Sequence, residues 1–317
     1  MTAIHSTEAN FNGSKGQHYA AYEKQSKSRT GPVAFAQDTF SHLALYTGNT
    51  MRTGTTAQLA TSQKKSNQEL LSAVEDTLHN SLESSQVEGS AITIADKNTL
   101  GALEGDRSKY EITVKMFFIS PAGSSTALSV DQLNRAVKYL QTALGTSNLL
   151  IDHFILALPN QTFDENGLDQ AELEAFTEDV AHLYWPIWKQ LSELRQGGQI
   201  GRLGVAEFSK QQLEILKTAA VSKGAVGPEV NQVNLHDCCV LPKDLIEYSK
   251  AEGIELLTHG DATNILPKST FASLLQPHLP ATSASSLTPN FVLKYSALIT
   301  NRGLISRKGY IIDATAE

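Results

Sequence analysis

Residues 198–224 read GQIGRLGVAEFSKQQLEILKTAAVSKG, and a few positions on, residues 229–235 read EVNQVNL. The apolar positions of 198–205 predict a strand. Ser209 stands three residues before Gln212, the spacing of a capping box, in which each side chain meets the other residue's backbone N–H. Leu213, Ile215 and Leu216 then predict a helix, and 229–235 predicts a second strand. Strand, helix and strand joined by short turns form a βαβ unit, which lays its two strands parallel.

The same alternation extends in both directions. Toward the C-terminus, Pro242 is suited to the first position of a helix over 242–248 that Gly253 ends, and 254–258 is a strand. Residues 291–300 are expected to be helical, and 309–313 to close the chain as a strand. Toward the N-terminus, 149–158 is a near-continuous apolar run, as in a strand covered on both faces. Before it, Ser129 and Gln132 are expected to cap a helix carrying Val130, Leu133, Val137 and Leu140, stopped at Gly145. Residues 168–195 are helical with a break near Pro186. Residues 111–119 and 43–46 are strands, and Leu70, Leu71, Val74, Leu78 and Leu82 recur at helical spacing behind a Ser66–Glu69 capping box. Residues 84–109 read as a loop insertion with a short strand at 91–94. Residues 1–40 read as a polar, flexible extension, so 41–317 is the folded domain. Six or seven βα units over 317 residues fit an α/β protein, and a (β/α)8 TIM barrel better than a doubly wound sheet, since no glycine fingerprint follows the first strand.

Composition excludes several functions. The net charge of −7, from 26 Lys and Arg against 33 Asp and Glu, offers nucleic acid or an anionic membrane no basic surface. No apolar run approaches the roughly 18 residues that span a bilayer. The N-terminus has no apolar leader segment, and the only cysteines, Cys238 and Cys239, are adjacent and unsuited to a structural bridge. A reducing, cytoplasmic location is the expectation.

Motifs for known chemistry are few. There is neither a Walker-type phosphate loop nor a G-x-S-x-G elbow. Gly198, Gly201 and Gly204 flank a strand and are read as packing glycines. His236-Asp237-Cys238-Cys239 is the densest polar cluster, but it lacks the ligand number and spacing of a zinc site. Pairing of Cys238 or Cys239 with His259 as nucleophile and base is weighed against plain packing of the thiols. Asp152 and His153 read as a satisfied pair inside the barrel, and Trp185 and Trp188 as core or interface.

Residues 201–214, GRLGVAEFSKQQLE, together with 229–236, EVNQVNLH, resemble consecutive βα units of the aldo-keto reductases. Within that superfamily, 231–242 (NQVNLHDCCVLP), 256–259 (LLTH) and the C-terminal 293–296 (LKYS) and 302–311 (RGLISRKGYI) are similar to the modifier subunits of glutamate–cysteine ligase. The resemblance implies a barrel without chemistry of its own. It also implies a heterodimeric partner, the ligase's catalytic subunit, whose use of glutamate improves and whose inhibition by glutathione weakens. Reductases of the superfamily need Asp, Tyr, Lys and His beside a nicotinamide. Here Ala157 stands where the imidazole belongs, Lys115 lies back inside its strand, and Tyr46-Thr47-Gly48 lacks an aspartate five positions earlier, where Ser41 sits. Ala206 and Glu207 replace the Ser-Asn pair that holds the nicotinamide. No cofactor is required on this reading, and Gln232, Arg307 and Lys308 are vestigial contacts allowing weak NADP(H) binding. Cys238 and Cys239 become candidates for a redox-sensitive contact with the partner. The alternative is a working NADP-dependent aldo-keto reductase.

Overall fold

A computed structural model describes residues 35, 39–51, 66–96, 98, 100–119, 129–164, 167–234 and 241–317. Most of the expected extension, and the cluster His236-Asp237-Cys238-Cys239, lie outside these residues. Phe40 is already core: it is 1% exposed and meets Phe35 edge-on.

The chain enters through β1 (His42–Tyr46), α1 (Ser66–Ser81), and a hairpin of β2 (Gln86–Glu88) and β3 (Ala91–Ala95). The cap expected at Ser66 falls outside the described side chains. Then βα units follow: β4 (Tyr110–Phe118), α2 (Val130–Leu144), β5 (Ile151–Ala157), α3 (Gln170–Asp179), a π-helical turn at Val180–Tyr184, and α4 (Trp185–Gln196). They continue through β6 (Ile200–Ala206), α5 (Lys210–Ser222), β7 (Val230–Asn234), α6 (Lys243–Glu252) and β8 (Glu255–His259). Two short helices, α7 (Lys268–Leu275) and α8 (Ala281–Ser286), lead to the long strands β9 (Leu287–Ile299) and β10 (Leu304–Ala316).

The capping box at Ser209 and Gln212 is present, and Pro186 opens α4 after the break. Ser129 precedes α2 but makes no side-chain cap; only its carbonyl is used, by the Gln132 and Leu133 N–H groups. Residues 84–109, expected as an insertion, contribute β3 to the sheet, where it runs parallel to β1.

The strands form one sheet in the order β2-β3-β1-β10-β9-β4-β5-β6-β7-β8. From β4 to β8 every neighbouring pair is parallel, as the βα succession requires. The correction concerns 291–300, which is strand rather than helix. It pairs antiparallel with both β4 and β10. The cause lies in alternation: Phe291, Leu293, Tyr295 and Ala297 bury on one face while Val292 buries on the other. An amphipathic helix would have had to set these residues on one stripe. The turn back into β10 passes through Gly303, whose φ of +60° suits glycine.

Both faces of the sheet are covered, which explains why 154–158 is apolar throughout. Phe154 and Leu156 face a core completed by Leu133, Leu140, Trp188, Leu191, Leu213 and Leu245 from α2, α4, α5 and α6. Ile155 and Ala157 face the opposite core, where α1, α7 and α8 contribute Leu70, Val74, Leu78, Phe271, Leu275 and Ala284. Gly201 and Gly204 are packing glycines. A Cβ on Gly204 would lie 2.7 Å from Val230 Cβ and 2.8 Å from Ile155 Cδ1, and one on Gly201 would lie 2.8 Å from the Asp152 carbonyl.

Candidate functional site

On the second face, small side chains at the ends of β5 and β6, Ala157 and Ala206, leave room beside the two C-terminal helices. The result is a cavity of about 670 Å³ whose apolar wall includes Phe117, Ile119, Ala157 and Ile265. That size is typical of a small-molecule pocket. Its inner end is polar: Lys115 and Asp261 line it, and Lys294, which does not, meets Asp261 from a third part of the chain. Lys115 of β4 and Lys294 of β9 are directly opposed across the two strands. Asp261, two residues beyond β8, joins them: Lys115 Nζ donates to Oδ2 at 2.9 Å and Lys294 Nζ to Oδ1 at 2.6 Å. Lys115 and Asp261 are buried, with 4% and 2% of their side chains exposed, and Lys294 is less so at 24%.

Burial pushes the Lys115 ammonium below the ordinary lysine range, against the upward pull of the Asp261 carboxylate. Burial would raise Asp261 in turn, but the two lysines outweigh it and hold that carboxyl well below the usual range.

The rim beside these groups is set by backbone geometry. Glu207 follows β6 with φ +67° and Asn160 follows β5 with φ +56°, both in the left-handed region that side chains seldom adopt. Such residues persist where surrounding bonds over-determine them. The Glu207 N–H donates to the Gln232 carbonyl at 2.8 Å, and its carbonyl accepts from Gln161 Nε2 at 2.8 Å. Buried Asn231 fixes the next residue by accepting from the Phe208 N–H and donating to its carbonyl. The Glu207 carboxylate accepts from the Phe163 N–H at 3.1 Å and from the Asn234 N–H at 3.4 Å. His259, the last residue of β8, accepts the Asp261 N–H at Nδ1 (3.1 Å), which assigns its proton to Nε2. Nε2 lies 2.7 Å from Glu207 Oε1, too bent for a regular hydrogen bond.

The residues singled out in the sequence are scattered. Lys115, set aside as lying back in its strand, is instead, with Asp261, one of the two deeply buried charges of the cavity. Ala157, Ala206, Glu207 and His259 line the same cavity. Tyr46 does not: it packs in the opposite core, 5.6 Å edge-on from Tyr139, and burial pushes its phenol well up. No tyrosine among the described residues lines the cavity. Gln232 sits on β7, whereas Arg307 and Lys308 lie on β10, with four strands between them in the sheet order. Arg307 donates to the carbonyls of Gly101 (2.6 Å) and Ala143 (3.1 Å), and Lys308 reaches the Glu69 carboxylate at 2.8 Å, so a phosphate would have to displace these partners.

Asp152 and His153 are not an interior pair. They stand at the start of β5, where Asp152 takes Arg107 and the Ile112 N–H, and His153 lies 3.6 Å from Glu111. Trp188 is core, donating to the Val226 carbonyl at 2.8 Å, while the half-buried Trp185 carries Lys223 over its ring. Among the described residues, no three His, Cys, Asp or Glu side chains are grouped to hold a metal ion, and no helix is long and apolar enough to cross a membrane.

Comparison with known proteins agrees with this arrangement of βα units. Residues 75–261, more than half of the chain, match the aldo/keto reductase family. The glutamate–cysteine ligase regulatory subunit of Mus musculus is 34% identical over 209 residues, which cover 66% of this chain and 68% of that protein. A putative regulatory subunit of the same ligase from Schizosaccharomyces pombe is 25% identical over 88% of this chain and 98% of its own length. An uncharacterized oxidoreductase of Bacillus subtilis, YtbE, matches at 34% identity over only 32% of this chain and 34% of its own. The α/β barrel class expected from the βα succession is thus that of the family, with β9 and β10 entering antiparallel between β1 and β4. The chain belongs to the aldo/keto reductase family and, within it, to the branch of the glutamate–cysteine ligase regulatory subunits.

Proposed function

We propose that this chain is the non-catalytic regulatory subunit of a glutamate–cysteine ligase. It binds the catalytic subunit, improves its use of glutamate and relieves feedback inhibition by glutathione. The observation that carries this reading is the identity to regulatory subunits over two thirds or more of their length, against a third for the oxidoreductase. The cavity supports it. Carbonyl reduction needs a proton donor at the carbonyl oxygen; Ala157 stands where the resemblance puts the histidine, and Tyr46 packs on the other face.

A partner that does no chemistry acts by binding one conformation of the catalytic subunit better than another. Its effect is bounded by that difference in binding free energy, typically about 1–3 kcal/mol. No cofactor is required; weak NADP(H) binding at Gln232, Arg307 and Lys308 would have to break the bonds that Arg307 and Lys308 make. Cys238 and Cys239 are read as a redox-sensitive contact with the partner, and the location as cytoplasmic. A second reading, an NADP-dependent reductase, is favoured by one observation, the Lys115–Asp261 pair inside the cavity. Co-expression with the ligase catalytic subunit tests the first reading: the two chains should co-purify at 1:1 stoichiometry, and failure to associate would overturn it.

A further inference from the structure

We infer that the outer edge of β8 docks an extended strand of the ligase's catalytic subunit, apolar on both of its faces, which continues the sheet beyond β8. The identity of the partner rests on the regulatory reading; the character of the edge does not. The sheet has two ends, β2 and β8. β2 is three residues long, all of them exposed, and carries Glu88. Short, charged strands of that kind blunt a sheet edge against further pairing. β8 is not blunted in this way. It is five residues long and sets Leu256 and Leu257 at its centre, with no proline or lysine. Its end residues are engaged within the chain: Glu255 pairs with Arg202, and His259 accepts the Asp261 N–H.

Backbone geometry fixes which groups face outward. In a parallel ladder, alternate residues turn both their N–H and their C=O to the same neighbour. The Glu255 N–H donates to the Glu229 carbonyl at 2.9 Å. Glu255, Leu257 and His259 therefore address β7, in register with Val230, Gln232 and Asn234. Leu256 and Thr258 present their N–H and C=O groups on the far side, where no strand among the described residues pairs with them. Donors and acceptors in that alternation are met by an extended chain, the β-addition mode of recognition. The side chains say what that chain carries. Leu256 packs on the core under α2, α4, α5 and α6, and Leu257 on the core under α1, α7 and α8, yet each is only partly buried. Both cores thus run out at β8 with apolar surface left on each face, so the added strand is apolar on both faces, as a strand covered on both sides is. A second copy pairing its own β8 offers five residues, well short of the roughly 20–30 a side in a stable interface. The catalytic subunit, which the regulatory reading already requires to bind, can join such a strand to further surface.

The test compares Thr258→Pro with Thr258→Ala in the purified full-length protein. The Thr258 N–H points away from β7, so proline there breaks no ladder bond, the one setting in which a strand tolerates it. It nonetheless deletes an outward donor and sets a ring in the path of an added strand. Titrated with the purified catalytic subunit and followed by calorimetry, Thr258→Pro is expected to bind about tenfold more weakly or worse, and Thr258→Ala within about threefold of the unaltered chain. Residue-resolved hydrogen exchange gives a second reading that needs no variant. The Leu256 and Thr258 amides should exchange freely in the isolated chain and become protected in the complex, while the Leu257 amide is protected in both. Three results would overturn the inference and leave the regulatory reading standing: undiminished binding by a Thr258→Pro variant shown to be folded by thermal unfolding, no new protection of the two amides in the complex, or their protection already in the isolated chain, the mark of an edge covered by this chain itself or by a second copy. If the unaltered chain does not bind the catalytic subunit at all, the regulatory reading fails, and the partner named here falls with it.

Discussion

Replacing Asp313 by Asn should remove a large part of this protein's stability at neutral pH, and that loss should fade in acid. Asp313 lies on β10 with its side chain fully buried. It accepts from His42 Nε2 (2.8 Å), Arg135 Nε (3.2 Å) and Nη2 (3.1 Å), the Tyr139 hydroxyl (3.0 Å) and Asn290 Nδ2 (2.7 Å). One carboxylate therefore ties together β1, α2, β9 and β10, the region where the C-terminal hairpin enters the sheet. Burial would raise its pKa, but the bonds from His42, Arg135 and Asn290 outweigh burial and lower it from 3.8 to about 2. At about 1.4 kcal/mol per tenfold change, that lowering contributes roughly 2–3 kcal/mol. An asparagine would also turn an N–H₂ toward groups that donate, so the expected loss is about 2–4 kcal/mol, a large fraction of a typical total of about 5–15. Because the folded pKa lies below the unfolded one, the contribution is complete above pH 3.8. It shrinks as the unfolded chain takes up its proton and is gone once pH falls below about 2. Urea unfolding of both proteins between pH 7 and pH 2.5 reads this directly. A loss under about 1 kcal/mol at pH 7, or one that stays constant down to pH 2.5, would refute the reasoning.

Gly204→Ala should destabilise the protein by about 1–3 kcal/mol in the same assay, because the added Cβ overlaps Val230 and Ile155 in neighbouring strands. NADPH oxidation with a panel of aldehydes should remain at background; turnover of about 1 per second or more would instead support the reductase reading. Changing Cys238 and Cys239 together to Ser should abolish any disulfide-linked heterodimer on a non-reducing gel, and a persistent band would assign the link elsewhere.

How legible the fold was depended on how local its signals are. The β6–α5–β7 unit could be read because a capping box, helical spacing and two strands lie within 40 residues, and each makes its own bonds. The continuous run of β5 announced two covered faces. The strand β9 was misread because Phe291 to Ile299 carries apolar residues at both strand and helix spacings, and only pairing with β4 and β10 decides between them. The helical expectation also leaves the lysine pair without a signal. As a helix, 291–300 gives Lys294 no neighbour; as a strand, it sets Lys294 directly across from Lys115. Asp261 is 146 positions from Lys115 and 33 from Lys294, and no motif links the three. Alternation was the available signal: Lys294 shares the face of Val292, and Lys115 that of Phe117, so both were bound for the inner face.

The most direct measurement of the regulatory role is ligase activity of the catalytic subunit with and without this chain, as glutamate and glutathione are varied. The account predicts that the bound chain lowers the glutamate concentration needed for half-maximal rate and raises the glutathione concentration needed for half-inhibition, by about 5–150-fold for a coupling of 1–3 kcal/mol. If the two proteins are shown to be bound and neither concentration moves, the regulatory account is contradicted.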